Sequence, residues 1–281
     1  MVGITNKTLI AEIRRQQQLS QGIIEGQTAI STGITLTKPS DNALAWVQVS
    51  EIGKAQAQQS SWQANVSYGT ARAANAEANL EEINTLLISA QELVTSARNG
   101  SLSDAQRTAI FEDVKGIRDA IGALLNQTDY QGVPVFDDTQ SVLVPVSRGL
   151  KLAVVGTRQD VSEGIDVGGT PMTLDGILGQ ALTALQGGTD ADLQSALTAI
   201  KAGQSHVTIE QAKQGVRSDR LDVTGNRLTS IDLDLKERRQ GLESTNLADV
   251  ISSVKSKLLQ LEAAQSAFAR INQQTLFDLI R

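Results

Sequence analysis

The sequence predicts a mainly α protein: long antiparallel helical rods forming a coiled-coil bundle, with a short β-rich region in the middle of the chain. Three observations predict it. Only four of the 281 residues are prolines (Pro39, Pro134, Pro145 and Pro171), so 40–133 and 172–281 lack the residue that costs about 3 kcal/mol in a helix interior. Apolar residues in both runs recur at steps of three and four, the signature of a packed helical seam. Between 132 and 188, by contrast, lie 10 of the 23 glycines, among β-branched runs.

At the N-terminus Leu9, Ile13, Ile23, Ile30 and Ile34 fall at heptad steps, with Gln16, Ser20 and Gln27 in the positions between. A seam so polar cannot hold a lone helix, because isolated helices are marginal and draw their stability from packing. Segment 1–40 is therefore expected to be an assembly helix, disordered in the monomer.

Residues 41–132 read as a rod hairpin. Val66, Ala73, Ala76, Leu80, Ile83, Leu87, Ala90, Val94 and Ala97 form its first seam, ending at Asn99-Gly100, a helix stop. At 1.5 Å per residue such a segment is a rod of roughly 45 Å. Ser103 and Gln106 have capping-box spacing, and Ile110, Val114, Ile117, Ile121 and Leu124 follow as the second stripe. Two long helices joined by so few residues must run antiparallel.

Segment 133–188 reads as a β-rich insert and a short helix. VPVF (133–136), SVLVPV (141–146) and LKLAVV (150–155) are strand-like, with Ser147-Arg148-Gly149 as a turn. A third strand is expected near 159–167, and Pro134 and Pro145 suggest edge positions. Thr173–Gln186 reads as the short helix.

A returning rod follows at 189–241. Thr189 and Asp192 have capping-box spacing, and Leu193, Leu197, Ile200, Val207, Leu221, Leu228 and Leu235 form its seam. Segment 242–281 carries Leu247, Val250, Val254, Leu261, Ala264, Phe268 and Ile271 at heptad steps. It is expected to pair with the N-terminal helix and to share its disorder in the monomer.

Composition excludes much chemistry. There is no Cys, which removes disulfides, thiolate nucleophiles and thiolate metal sites. The one His, His206, cannot build a His-rich metal site, lies beside seam residue Val207, and reads as a helix-surface residue. Carboxylate neighbours such as Glu81-Glu82 and Asp137-Asp138 point apart on a regular backbone. Gly168-Gly169 lacks the Gly-Lys-Ser that would make it a phosphate-binding loop. Lys236-Glu237-Arg238-Arg239 reads as a solvated helix end, and Trp46 and Trp62 as packing residues. A formal charge of −6 (25 minus 31) argues against a nucleic-acid surface. No run reaches 18 consecutive apolar residues, so no membrane-spanning helix is expected. No catalytic residue, metal site or cofactor is expected, and the chain is read as a non-enzyme.

Three stretches carry a resemblance. TKPSDNALAWVQVS (37–50) resembles the Pro-Ser-Asp segment near the N-terminus of bacterial flagellins and their hook–filament junction relatives. NGSLSDAQRTAIFEDVKGIRDAIGALLNQTDYQGVPVF (99–136) is similar to that family's second rod helix and its exit. LESTNLADVISSVKSKLLQLEAAQSAFARINQQTLFDLIR (242–281) resembles its C-terminal helix. The tail from Thr275 to Arg281 and the Asn-Gly-Ser-Leu-Ser-Asp run are closer to the junction type than to the filament type.

The resemblance implies a structural subunit of the bacterial flagellum that joins hook to filament through its terminal coiled-coil helices. It further implies an extracellular place on the flagellum and type III export without a cleaved signal peptide. Its partners would be copies of itself, neighbouring axial proteins (hook-associated protein and flagellin) and an export chaperone, with no nucleic acid and no membrane insertion. The assembly interface would involve Leu9, Ile13, Ile23, Ile30, Leu247, Val250, Val254, Leu261, Phe268 and Ile271. The rod seam would comprise Leu80, Ile83, Leu87, Val94, Ile110, Val114, Ile117 and Ile121. In the family stretch tied to immune-receptor recognition, Glu92 and Leu93 match but Gln91 stands where arginine is expected. A filament flagellin is the alternative reading, and a cytoplasmic coiled-coil scaffold or signalling protein a second.

Overall fold

The computed structural model describes residues 2–98, 102–129, 131–244 and 246–278, with side chains from 10 to 270 within those ranges. Four long helices dominate the described residues, the first three being α1 (Val2–Thr32), α2 (Ala43–Ala97) and, after the shorter α3 (Asp104–Leu125), the insert and its helices, α6 (Asp190–Glu243). The insert holds β1 (Val142–Ser147), β2 (Leu150–Val155), α4 (Arg158–Ser162), β3 (Ile165–Val167), β4 (Thr170–Met172) and α5 (Leu174–Leu185). Helix α7 (Leu247–Asp278) closes the chain. The fold divides into two compact units, Met1–Ala57 with Asp232–Arg281, and Gln58–Ile231.

The 58–231 unit holds the main core. Along α2 the seam residues Ala73, Ala76, Leu80, Ile83, Leu87, Ala90, Val94 and Ala97 are all buried. Helix α3 runs back antiparallel to α2: Asn79 Nδ2 donates to the Leu124 carbonyl at 3.0 Å. The capping box at its start is formed, Ser103 Oγ accepting from Gln106 N while Gln106 Oε1 accepts from Ser103 N. Helix α6 is likewise antiparallel to α2. Arg98 forms a two-pronged pair with Asp190, Ser218 bonds Glu77, and Gln59 Nε2 donates to the Leu228 carbonyl at 3.0 Å. Thr189 and Asp192 close the N-terminus of α6 as a capping box with Asp in place of Glu. Helix α5 bridges α3 and α6: Arg118 grips Asp175 through two bonds of 2.6 Å, and Gly203 of α6 lies where a Cβ would sit 3.3 Å from Leu174.

Strands β1 and β2 form an antiparallel ribbon closed at Gly149, whose φ of +79° suits glycine. Both strands of a two-stranded ribbon are edges, so Pro145 costs no ladder bond, and its carbonyl accepts from Asn65 Nδ2 at 2.8 Å. Gln214 Nε2 donates to the Val154 carbonyl at 2.8 Å, pinning the ribbon to α6. Gly69 of α2 admits it: a Cβ there would lie 2.9 Å from Val154 Cγ1 and 3.2 Å from Val144 Cγ2.

Three expectations are corrected. Residues 133–136 form no strand beyond one bridge, Thr128↔Pro134. Asp129 Oδ1 accepts from the amides of Gln131 and Val133, which bends the chain into a loop and drops Val135 and Phe136 into the core. Residues 158–162 are helix, because Thr157 and Asp160 form a capping box, and only Ile165–Val167 is strand. Ile34 is not on the α1 seam: the helix ends at Thr32, Gly33 takes φ +73°, and Ile34 bridges Ser244. The proposed helix stop at Asn99-Gly100 lies outside the described residues.

Candidate assembly interface

The unit made by the two ends of the chain is built around the α1–α7 pair. The two helices approach closely at Gly26: a Cβ there would lie 2.3 Å from Val254 Cγ2, so a larger residue forces Val254 to shift. One turn earlier, Lys257 lies along Gly22, where a Cβ would be 2.8 Å from its Nζ, and its ammonium reaches the Gly22 carbonyl at 3.4 Å. Ile23, Ala29 and Val254 are buried around this contact.

The link from α1 to α2 is the Thr-Lys-Pro-Ser-Asp-Asn segment, and its residues have separate jobs. Asp41 Oδ2 accepts from Thr37 N (3.0 Å), Thr37 Oγ1 (3.1 Å) and Lys38 N (3.0 Å), closing the turn. Asn42 Oδ1 accepts from Ala45 N at 3.1 Å, a side-chain cap at the start of α2. Pro39 lies inside the loop closed by Asp41. Beyond it, Thr35 N donates to the Glu243 carbonyl at 3.0 Å, which ties the link to the C-terminal end of α6, and Lys38 pairs with Glu25 at 2.9 Å.

This unit buries little. Ile23, Ala29, Leu36, Ala45 and Val254 are its buried apolar side chains among the described residues. Exposed apolar side chains outnumber them: on α1 Ile10, Ile13 and Ile24, and on α7 Leu247, Ile251, Leu258 and Leu259, the last 69% exposed. An open groove on the same unit, between α2 and α6, is lined by Ile52, Ala55, Leu235 and Leu242. On α1, Gln16 Nε2 is buried without a hydrogen-bond partner. Such a surface is a packing face that the single chain leaves uncovered.

Of the expected interface residues, Ile23 and Val254 are buried together at the helix crossing, and Ile30, Val250, Leu261 and Phe268 are half-buried. Ile13 and Leu247 are exposed. The side chains of Leu9 and Ile271 lie outside the described residues. The rod-seam residues sit in the core of the other unit: Leu80, Ile83, Leu87, Val94, Ile110, Val114 and Ile121 are buried, and Ile117 is partly buried against them.

Three features were missed from sequence. Gly22 and Gly26 carried a usable signal, since glycines four apart on a helix share one face. Arg72, 6% exposed, bonds Asp129, Tyr68 Oη and the carbonyls of Pro134 and Val135, and no spacing rule points to it. His206 is half-buried, and its Nε2 lies 2.8 Å from the Asp160 carbonyl, joining α6 to α4. Trp62 packs against the core. Among the described residues no three His, Cys, Asp or Glu gather to hold a metal, and no helix is long and apolar enough to cross a membrane.

Residues 5–141 match the family of the bacterial flagellin N-terminal helical region. The chain is 26% identical over 289 residues to flagellar hook-associated protein 3 of Salmonella typhimurium, spanning 90% of this chain and 91% of that protein. It is 22% identical over 267 residues to the flagellin of Bacillus subtilis, spanning 87% and 88%. Among solved structures, a flagellar hook-associated protein from Vibrio parahaemolyticus superposes with a TM-score of 0.64 at 20% identity, over 72% of this chain and 99% of that one. The flagellar junction protein FlgL from Legionella pneumophila gives 0.53 at 12% identity, over 69% and 100%. These likenesses establish a shared fold of long helices with a small β insert.

Proposed function

We propose that this chain belongs with the bacterial flagellins and is a structural subunit of the flagellum, of the type that joins hook to filament. The observation that carries the proposal is the uncovered apolar face on α1 and α7, seven side chains from Ile10 to Leu259 that a lone chain leaves in water. Burying apolar surface returns about 25 cal/mol per Å², so copies or axial neighbours that cover this face are stabilised in proportion. The hook-associated relatives favour the junction over the filament.

On this reading the terminal helices order only on assembly, with Ile23, Ile30, Val250, Val254, Leu261 and Phe268 completing their packing between subunits. The partners are copies of the chain and neighbouring axial proteins, and a chaperone shields the apolar termini before export, which proceeds without a cleaved signal. No chemistry is assigned to the protein, whose relatives are flagellar hook-associated proteins.

The test is deletion and complementation. Cells lacking the gene should make hooks without attached filaments and release flagellin into the medium, and the wild-type gene should restore attachment. Filaments of normal length and attachment in the deletion strain would contradict the proposal.

A further inference from the structure

Outside the terminal helices, the 58–231 unit presents two exposed heptad stripes of opposite charge. On α6, Ile209, Lys213, Val216, Arg220, Val223 and Arg227 follow one another at steps of four and three, and every one is exposed. Apolar and cationic side chains alternate along this stripe, with Ile209, Val216 and Val223 at 54%, 51% and 69% exposure. It is separate from the buried seam of the same helix, Val207, Gln214, Leu221 and Leu228, which also repeats every seven residues. Lys213 pairs with Glu210, while Arg220 and Arg227 have no ion pair among the described residues.

The second stripe is on α2. Ala74, Ala78, Glu81, Thr85, Ile88 and Glu92 also fall at steps of four and three, all exposed, on the side away from the buried seam. Its charges are carboxylates, its apolar members are small apart from Ile88, and neither Glu81 nor Glu92 has an ion pair among the described residues. A regular heptad stripe fits another helix, because the 3.5-residue repeat keeps the same side chains facing a partner along its length. Small side chains on one stripe and β-branched ones on the other suit close packing. Cations on one and carboxylates on the other select that pairing over either stripe with itself, which would oppose like charges.

We propose that the α6 stripe of one copy docks on the α2 stripe of the next. The occupant is a second copy of this chain because the complementary stripe belongs to the same molecule, and because a basic ridge on a chain of net charge −6 finds its match there. Two different patches make the contact head-to-tail, the class of interface that propagates into rings or helical arrays. The inference rests on the reading of the chain as an assembling flagellar subunit and adds a contact outside the terminal helices.

The chain has no cysteine, so single cysteines report proximity without background. Ile88→Cys and Val216→Cys, both at exposed positions, are each made in the full-length protein. They are co-expressed in a strain lacking the native gene, whose intact flagella are oxidised, and are mixed in parallel as purified chains at high concentration. The expected result is a disulfide-linked dimer only when both variants are present, and none with either alone. Arg220→Glu with Arg227→Glu should lower its yield several-fold, and adding Glu81→Lys with Glu92→Lys should recover it. Absence of the mixed dimer in both preparations, or Val216→Cys chains linking to one another, overturns the inference. Antibody labelling of wild-type flagella reads the underlying assignment separately: a labelled junction without the mixed dimer sinks this contact alone, and unlabelled flagella sink the assignment.

Discussion

Arg72 and Asp129 meet at 3.4 Å in the 58–231 unit, the guanidinium 6% exposed and the carboxylate 13%. The pair fixes two things at once. The carboxylate holds the backbone amides of Gln131 and Val133, and the guanidinium ties the chain that follows to α2 through the carbonyls of Pro134 and Val135. Tyr68 adds its hydroxyl and its ring, 5.8 Å from the guanidinium carbon.

Arg72→Met therefore leaves a mostly buried carboxylate without its cation, at a cost of about 3–5 kcal/mol. Thermal unfolding followed by circular dichroism should show a fall of roughly ten degrees. Arg72→Met with Asp129→Asn should cost less than the single change, since the two residues share one network. Additive losses would mean the pair is not coupled.

Leu87 is fully buried at the middle of the α2 seam. Leu87→Ala should cost about 2–5 kcal/mol by loss of contacts and creation of a cavity. Leu87→Asp should cost more, because its carboxylate has no partner there. A melting temperature within about a degree of wild type for Leu87→Asp would show that the seam does not hold this unit together.

Gly26 and Gly53 are both helical glycines in the unit formed by the chain ends, with opposite surroundings. A Cβ at Gly26 strikes Val254, whereas nothing lies within 4 Å of one at Gly53. Gly26→Ala should weaken the α1–α7 contact by about 1–3 kcal/mol. Gly53→Ala should stabilise its helix by up to about 1 kcal/mol. Filament attachment in complemented cells should fail or weaken with the first and persist with the second. Equal attachment in both would remove the helix crossing from the account.

The Asp160 carboxyl is held below its ordinary value. The Thr157 hydroxyl does most of this, partial burial works against it, and the Thr157 amide, Arg217 and Lys213 add to the depression. Asp175 is depressed by its hydrogen bonds to Arg118, against partial burial, and by that residue's charge. A depressed carboxylate stabilises the fold above its unfolded value, about 3.9, and the contribution is lost as pH falls through the lower folded value. Melting temperature should hold from neutral pH to about 5 and decline below about 4. Asp160→Asn should melt below wild type at neutral pH, with the gap closing in acid. A gap as large in strong acid as at neutral pH would show that the carboxylate charge contributes nothing.

Legibility in the sequence followed periodicity and caps. The α2 seam from Ala73 to Ala97 repeats every three or four residues, so its helix and buried face could be read directly. The box at Ser103 and Gln106 marked the start of α3 in the same way. What escaped depended on contacts distant in sequence or on competition between local signals. VPVF (133–136) has strand composition, but Asp129 takes the Val133 amide and the Gln127 carbonyl the Val135 amide, so no ladder forms. Residues 159–162 lie in a β-branched neighbourhood, and the Thr157–Asp160 cap turns them into helix. Gly22 and Gly26 carry no chemistry of their own, and their role shows only where Lys257 and Val254 of α7 lie against them. The charged stripes on α2 and α6 are regular in sequence, yet only exposure separates them from the buried seams beside them.

The most direct measurement is the distribution of the protein along intact flagella, by gold-labelled antibody in electron microscopy. A single band between hook and filament is the result this account predicts. Label along the whole filament would make the chain a flagellin, and its absence from flagella, with the protein retained in the cytoplasm, would contradict the account outright.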